Sequence, residues 1–558
     1  MISREDALAA MQEDRFDVVV VGGGITGAGV ALDAASRGYS VALVERDDFG
    51  QGTSSRSSKM VHGGLRYLQN FDLGLVREAL LERQLLVRLA PHLVYPTPFL
   101  VPALGEGRRD RRVGIGLNMY DVMATSRIGR GRSQRHEHAD EADYWSPDRH
   151  RTISGEEAAE LIPALGPMDP SSAYLFYDCQ TDDSRLVLTV LGEAERFGAV
   201  VLNGAEVTDV LEREGRADGV AFTEAESGER IEVRADNVVN ATGVWADQIR
   251  PGELLTEEEI PNIRPSRGTH VTVSTDDLDI GTAACIVPAA GDRTIFALPW
   301  YGRVLAGTTD NDYEGDIDRV PPSGDDITYL LDALNGYFGT DLGPAQLTGA
   351  YAGVRPLISS GDPKKSVDIS RKAELYETSS GMLTITGGKL TTFRRMAAQV
   401  VDRIAERDGR EAECRTDDIP LGMAARPEDL KTGVELPEGA ADQLAFRYGH
   451  AARAVLDLCA EEPELAAPIV PGHPDLMAEL VIAARREQAR SVADVLLRRT
   501  RLGLLAAPEL RDGDRVAAVA GRLGAELGWS GSRIKAEVEA WAGITEAEGL
   551  DPAAALAK

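Results

Sequence analysis

Val18-Val-Val-Val-Gly-Gly-Gly-Ile-Thr-Gly27 is the stretch on which the fold turns. The apolar run from Phe16 to Val21 reads as a parallel strand buried on both faces. The chain then turns through Gly22, Gly24 and Gly27, and a helix is predicted from Ile25 to about Arg37. Gly38 suits the position just past a helix end, and Tyr39 to Val44 reads as the next strand. The three glycines have separate tasks: a tight turn, close approach of backbone to a pyrophosphate, and close helix–strand packing. The helix N-terminus offers amide groups to phosphates. Glu45, at the end of the second strand, is placed to accept from ribose hydroxyls. A G-x-G-x-x-G pattern alone says little. Framed by strand, helix, strand and acid, it specifies a dinucleotide site.

Working outward, 558 residues exceed what one core holds and predict about three to four domains. With 43% hydrophobic and 27% charged residues, the composition is that of a soluble globular protein. No apolar run is long enough to span a bilayer and no signal core opens the chain, so a cytoplasmic location is expected. Cys179, Cys285, Cys414 and Cys459 are scattered without a C-x-x-C pair. They suggest neither a metal site nor a disulfide framework, and they suit a reducing compartment. The formal net charge of −30 argues against nucleic acid as a partner. It also means that a phosphate-bearing substrate must be captured by a local cluster of arginines and lysines.

The loop Gly50 to Tyr67 is too rich in Gly and Ser for a core and too polar for a plain linker. A long helix follows, with Leu81, Leu85 and Leu89 as its predicted buried stripe. Pro91, Pro96, Pro98 and Pro102 then impose extended chain. Ser154-Gly-Glu-Glu157 has the form of a capping box. Short strands are predicted at Val207–Leu211, Gly219–Phe222, Arg230–Val233 and Asn237–Asn240, and later at Thr294–Trp300 and Val304–Gly307. Beyond about residue 405 a linker marked by Pro420, Pro427 and Pro437 leads into helical patterns, with Val492, Val495, Leu496 and Leu502 as an apolar stripe among arginines.

Which dinucleotide binds is decided by two later segments. Val238-Val-Asn-Ala-Thr-Gly-Val-Trp245 resembles the returning strand of FAD-binding oxidoreductases related to glutathione reductase and D-amino-acid oxidase. Small residues Ala241, Thr242 and Gly243 would there approach the cofactor. In Ile385-Thr-Gly-Gly-Lys-Leu-Thr-Thr-Phe393, Gly387 and Gly388 are expected to open a helix whose N-terminus faces the flavin ring, with Lys389 and Thr391 beside it. Ser57-Ser-Lys-Met-Val-His-Gly-Gly-Leu-Arg-Tyr67, Ala297-Leu-Pro-Trp300, Gly307-Thr-Thr-Asp310, Gly353-Val-Arg-Pro-Leu357, Gly387 to Arg394 and Arg498 to Gly503 together resemble the FAD-dependent glycerol-3-phosphate dehydrogenases and their sister oxidases. The likeness covers most of residues 15 to 505 and leaves 103–150 unmatched.

The resemblance implies oxidation of sn-glycerol 3-phosphate to dihydroxyacetone phosphate by hydride transfer to FAD, with membrane quinone as acceptor. His62 would be the base for the hydroxyl proton. Arg355, stiffened by Pro356 and helped by Arg66, would grip the phosphate, and Lys389 would add positive charge. His270 reads as a pocket wall, and His136 and His138 as solvated side chains without further metal ligands. The expected architecture is an α/β, doubly wound FAD domain in three segments (1–90, 171–250, 351–405). An antiparallel β substrate domain (91–170, 251–350) and a C-terminal helical domain (406–558) complete it. A homodimer is expected, with possible peripheral contact of the inner membrane face. Arg498 to Arg501 and the basic run 127–135 are the candidates for meeting anionic headgroups, against the plainer reading of solvated faces. The competing functions are the oxygen-using oxidase, a flavin amine or amino-acid oxidase, and a catalytically silent FAD-binding protein.

Overall fold

The computed structural model describes residues 4–65, 72–104, 111–125, 149–252, 254–291, 293–359, 373–431 and 433–552. In the first sheet, Arg15–Val21 lies between Val41–Val44 and Arg230–Asn240, parallel to both. Val200–Leu202 and Leu383–Gly387 extend the two sides, again parallel. The helices Ile25–Ser36, Asp183–Arg196 and Phe393–Asp408 pack together against one face. On the other face, Ala7 and Met11 of Arg4–Glu13 join Val220 and Phe222 in burying Val19 and Val21. A strand covered on both faces must be apolar at consecutive positions, and Val18 to Val21 are almost wholly buried.

The strands predicted at 230–233 and 237–240 are one strand, Arg230–Asn240. Its first half pairs antiparallel with Arg216–Glu224, and its end pairs parallel with Leu383–Gly387. Burial alternates along the first half and becomes continuous from Asn237. The sequence pattern therefore changes where the strand enters the covered centre of the sheet.

Among the described residues the second sheet has ten strands, antiparallel except where Ala284–Ala289 meets Tyr95–Leu104. Ile263–Ser274 lies between Arg303–Gly307 and Leu347–Ile358, and Met60–Val61 forms an edge against Pro170–Gln180. Two expected boundaries therefore move. Residues 171–180 and 351–358, expected in the FAD domain, belong to strands of this second sheet. Each expected boundary falls within a strand that runs on through it.

Two further expectations are corrected. Leu81 and Leu85 are only half-buried; the helix Leu73–Leu89 turns Val76, Leu80, Arg83 and Val87 inward instead. No helix begins at Gly387 or Gly388. A short turn, Leu390–Thr392, precedes Phe393–Asp408. The capping at Ser154 holds, its hydroxyl accepting from the Glu157 amide at 3.1 Å.

The C-terminal region is helical, and Val492, Val495, Leu496 and Leu502 are buried as read. The arginines among them are buried too: Arg498 is 3% exposed, Arg499 and Arg501 0%. They are neither a solvated face nor a surface for headgroups. Their counter-charges are Asp48, Asp182, Asp183, Glu487 and Asp494, the first three in the N-terminal half of the chain and invisible to local spacing. Among the described residues no helix is long and apolar enough to cross a membrane.

Candidate active site

Two adjoining cavities lie between the sheets. The first, about 350 Å³, runs along the C-terminal ends of the parallel strands, where ligands of open α/β sheets bind. Gly22, Gly24, Ile25 and Thr26 line it at the N-terminus of Ile25–Ser36. Gly22 adopts φ +108°, and a Cβ there would stand 2.7 Å from the Ala241 carbonyl oxygen. Gly27 lies beneath the groove, where a Cβ would fall 1.9 Å from the Gly22 carbonyl oxygen. Its task is therefore packing of helix on strand. Ser54 Oγ accepts from the Ile25 amide at 3.0 Å, tying the following loop to the helix start.

At one end of the groove Glu45 accepts from the Gly23 amide at 2.6 Å and the Asp47 amide at 3.0 Å. Burial outweighs these hydrogen bonds and pushes its carboxyl up to about 7. Trp245 walls the same region, with Arg46 stacked 5.1 Å from its ring. Ala241, Thr242 and Gly243 line the middle. Gly243 has φ +62°, and a Cβ there would meet only open space. Gly387, Gly388, Lys389 and Leu390 close the far end.

The second cavity, about 200 Å³, shares Ser57, Pro356, Gly388, Lys389 and Leu390 with the first. Into it come His62, His270, Arg56 and Arg355. His62 follows the edge strand Met60–Val61, and Thr391 Oγ1 clasps its backbone, 3.2 Å from N and 3.3 Å from O. Thr391, expected at the cofactor, thus lines the second cavity instead. Arg355, on Leu347–Ile358, lies 3.3 Å from Asp310 and 3.1 Å from Thr308 Oγ1. Gly268 on the neighbouring strand makes room for it, since a Cβ would sit 2.5 Å from the guanidinium.

His270 is buried, its Nε2 2.8 Å from Ser58 Oγ and its ring stacked on Tyr351 at 4.9 Å. Burial, then the nearby Lys59 and Arg355 charges, hold it well below the usual histidine range, so it stays neutral. Lys59 Nζ lies 4.7 Å from the centre of the Tyr351 ring. Burial, then Arg501, bring that amine down to about 7.

A family model described as FAD dependent oxidoreductase matches residues 17–394, and one described as the C-terminal domain of alpha-glycerophosphate oxidase matches 414–534. Glycerol-3-phosphate dehydrogenase 1 of Mycobacterium tuberculosis is 38% identical over 92% of this chain and 96% of its own length. Glycerol-3-phosphate dehydrogenase 2 of that organism is 36% identical over 97% of this chain and 90% of its own. The chain belongs to the FAD-dependent glycerol-3-phosphate dehydrogenase family. Its fold matches the Bacillus halodurans glycerol-3-phosphate dehydrogenase solved with FAD, at TM-score 0.74 and 26% identity, covering 98% of this chain and 97% of that one.

The cofactor of the family is FAD, and the first cavity fits it. Glu45 and the Gly22–Thr26 turn at a helix N-terminus line one part of it, and Gly387–Leu390 close the other end. Of the sequence-predicted residues, Gly22, Gly24, Glu45, Ala241, Thr242, Gly243, Gly387, Gly388 and Lys389 line this groove, while His62, Arg355 and Lys389 meet at the second cavity. Arg66, the run 127–135, His136 and His138 lie outside the described residues. Sequence reasoning passed over Arg56, whose signal was a cation flanked on both sides by serine pairs. It also undervalued His270, one residue beyond Gly268-Thr.

Proposed function

We propose that this protein oxidises sn-glycerol 3-phosphate to dihydroxyacetone phosphate and passes the electrons to a quinone. The observation that carries this reading is the junction of the two cavities. His62, His270, Arg56 and Arg355 converge where the groove ends at Gly388–Leu390. In a chain of net charge −30, two guanidiniums in a 200 Å³ cavity favour a small dianion. His62 stands ready to take the C2 hydroxyl proton on its imidazole. His270 stays neutral and hydrogen-bonds through Ser58, shaping the wall without adding charge. Arg355 holds the phosphate while Asp310 and Thr308 fix its fork. Lys389, common to both cavities, keeps positive potential over the reacting end. When bound, FAD supplies the acceptor for the hydride that leaves C2.

The dehydrogenase names of the relatives favour quinone over oxygen. We read the protein as a cytoplasmic homodimer that meets the membrane peripherally; among the described residues no helix is long and apolar enough to cross a membrane. The test is anaerobic. Glycerol 3-phosphate should bleach the flavin absorption, and a soluble quinone analogue should restore it faster than air. Rapid reoxidation by air with stoichiometric peroxide, and none by quinone, would make the protein an oxidase. Bleaching by a small amino acid and not by glycerol 3-phosphate would replace the substrate.

A further inference from the structure

The segment Ser55–Lys59 delivers Arg56 and Ser58 to the second cavity. It follows a short turn, Thr53–Ser55, and ends on a lysine in the left-handed region at φ 58°. From the second sheet, Tyr351 donates to the Ser57 carbonyl at 2.8 Å and the Thr181 amide to the Lys59 carbonyl at 2.9 Å. One buried carboxylate gathers the segment's other ties. Asp183, at the start of Asp183–Arg196, accepts through Oδ2 from the Ser57 amide at 3.1 Å, the Ser57 hydroxyl at 2.7 Å and Lys59 Nζ at 2.8 Å. Lys59 Nζ also donates to the Ser55 carbonyl at 2.6 Å. Asp183 and Lys59 are both 0% exposed.

The other oxygen of Asp183 is taken by Arg501, from the C-terminal helical region. The Arg501 guanidinium also reaches the Ser55 carbonyl at 3.3 Å, Asp182 at 3.3 Å and the Leu497 carbonyl at 2.7 Å. Arg501 itself is in the left-handed region at φ 67°, a conformation unfavourable to a side chain with a Cβ. The strain is maintained by the guanidinium contacts and by the Leu504 and Leu505 amides, which donate to the Arg501 carbonyl at 2.8 and 3.2 Å. A second tie comes from the same region: Glu548 binds Arg56 at 2.8 Å, and Arg56 also donates to the Ala352 carbonyl at 3.2 Å.

We propose that Arg501 is a positioning residue for the oxidation. Through Asp183 it fixes the Ser55–Lys59 segment, so that the C-terminal helical region sets the geometry of the substrate cavity. Arg501 touches neither cavity; its effect passes through Asp183, Ser55 and Ser57. An Arg here supplies a planar fork with several donors, which the point charge of a lysine cannot match. The inference rests on the proposed reading of the second cavity as the substrate site.

The experiment compares holoenzymes of wild type, Arg501→Met, Arg501→Lys and Arg447→Lys. Arg447 is an equally buried arginine of the same region, paired with Asp475 and Glu479 within it. The rate constant for flavin reduction by saturating glycerol 3-phosphate is measured per bound flavin, with the half-saturation concentration and Tm. Arg501→Met should keep FAD, reduce about 10- to 100-fold more slowly, and need more substrate, as expected when a cavity segment shifts by about 1 Å. Arg501→Lys should recover part of the rate. Arg447→Lys should lower Tm while its rate per flavin stays within about twofold of wild type. Amide exchange across residues 55–62 reads the same positioning without any substrate, and it should rise in the Arg501 variants alone. Wild-type kinetics and exchange in Arg501→Met overturn the inference, as does an equal loss of rate in Arg447→Lys. Should Arg501→Met fail to fold, Arg501→Lys decides on the same readouts. A wild type that glycerol 3-phosphate does not reduce defeats the proposed function instead, and the exchange data still decide the role of Arg501.

Discussion

Glu45 and His62 show how much a single side chain in this protein owes to its burial. Glu45 combines desolvation with two amide hydrogen bonds, and desolvation wins, raising its carboxyl to about 7. A ribose diol is best received by the ionised form. The folded, cofactor-free protein therefore holds a proton here between its ordinary carboxylate range and about pH 7, and cofactor binding releases it. FAD affinity should be full above about pH 7 and fall as pH drops through that value. In Glu45→Gln the slope should vanish and affinity should be lower at pH 8. Titration of the apoprotein with FAD at several pH values, followed by flavin fluorescence, measures this; a flat profile in wild type would remove Glu45 from ribose recognition. His62 is only half-buried beside a neutral His270, which makes it the better proton acceptor of the two. Protonating His270 would put a third charge beside Lys59 and Arg355. His62→Ala should keep FAD and slow reduction by glycerol 3-phosphate about 10²- to 10⁴-fold, the range for loss of a general base. Stopped-flow absorption gives the rate, and an unchanged value would transfer the base to His270.

At the scale of elements, the strand–turn–helix that opens the chain was legible because its physics is local. Consecutive valines mean a strand covered on both faces, and glycines at fixed spacing mean a turn too tight for a Cβ. The prediction at this scale concerns Gly27. A methyl group at that position would fall 1.9 Å from the Gly22 carbonyl oxygen, so the helix must move off the strand that carries the turn. Gly27→Ala should cost about 1–3 kcal/mol of stability as overpacking and leave most of the purified chain without flavin. The ratio of visible to ultraviolet absorbance, read beside a urea melt, tests both effects. Full flavin content would mean that the turn tolerates the shift. The long strand Arg230–Asn240 was read as two because its pattern switches from alternating to continuous burial midway. Its identity as one strand depends on which neighbours cover it, and those lie far away in the chain. Leu81 and Leu85 misled for a related reason. Helical spacing marked one stripe, but Glu82 and Arg83 of the same helix pair with Arg394 and Asp178 and are buried in preference to leucines.

At the scale of the whole molecule, the net charge of −30 and the basic stretch from Arg498 to Arg501 suggested opposite things until their partners were known. The sequence displays three arginines within four residues; the fold pairs all three with carboxylates hundreds of residues away. Asp48 receives two of them. It is 2% exposed, bonds Arg498, and meets Arg499 at 2.8 and 2.9 Å. Burial alone would raise its carboxyl, but Arg499 and Arg498 together hold it down at about 2. Asp48 sits in the loop whose neighbours Asp47, Gln51 and Gly52 line the flavin groove, so this junction ties the C-terminal helices to the cofactor side. Global electrostatics predicts that removing one acid from so acidic a chain is neutral or mildly stabilising. The local pair predicts the reverse, since two buried guanidiniums would lose their shared counter-charge, at about 3–5 kcal/mol. We expect the local term to win: Asp48→Ala should unfold several degrees below wild type and release flavin at the same temperature. Asp236→Ala, which removes an exposed partner of Arg15, should change stability by less than about 1 kcal/mol. Calorimetry with simultaneous flavin fluorescence separates the two expectations. Equal melting of Asp48→Ala and Asp236→Ala would show that the buried arginines find other partners and that the junction is not a seat of stability.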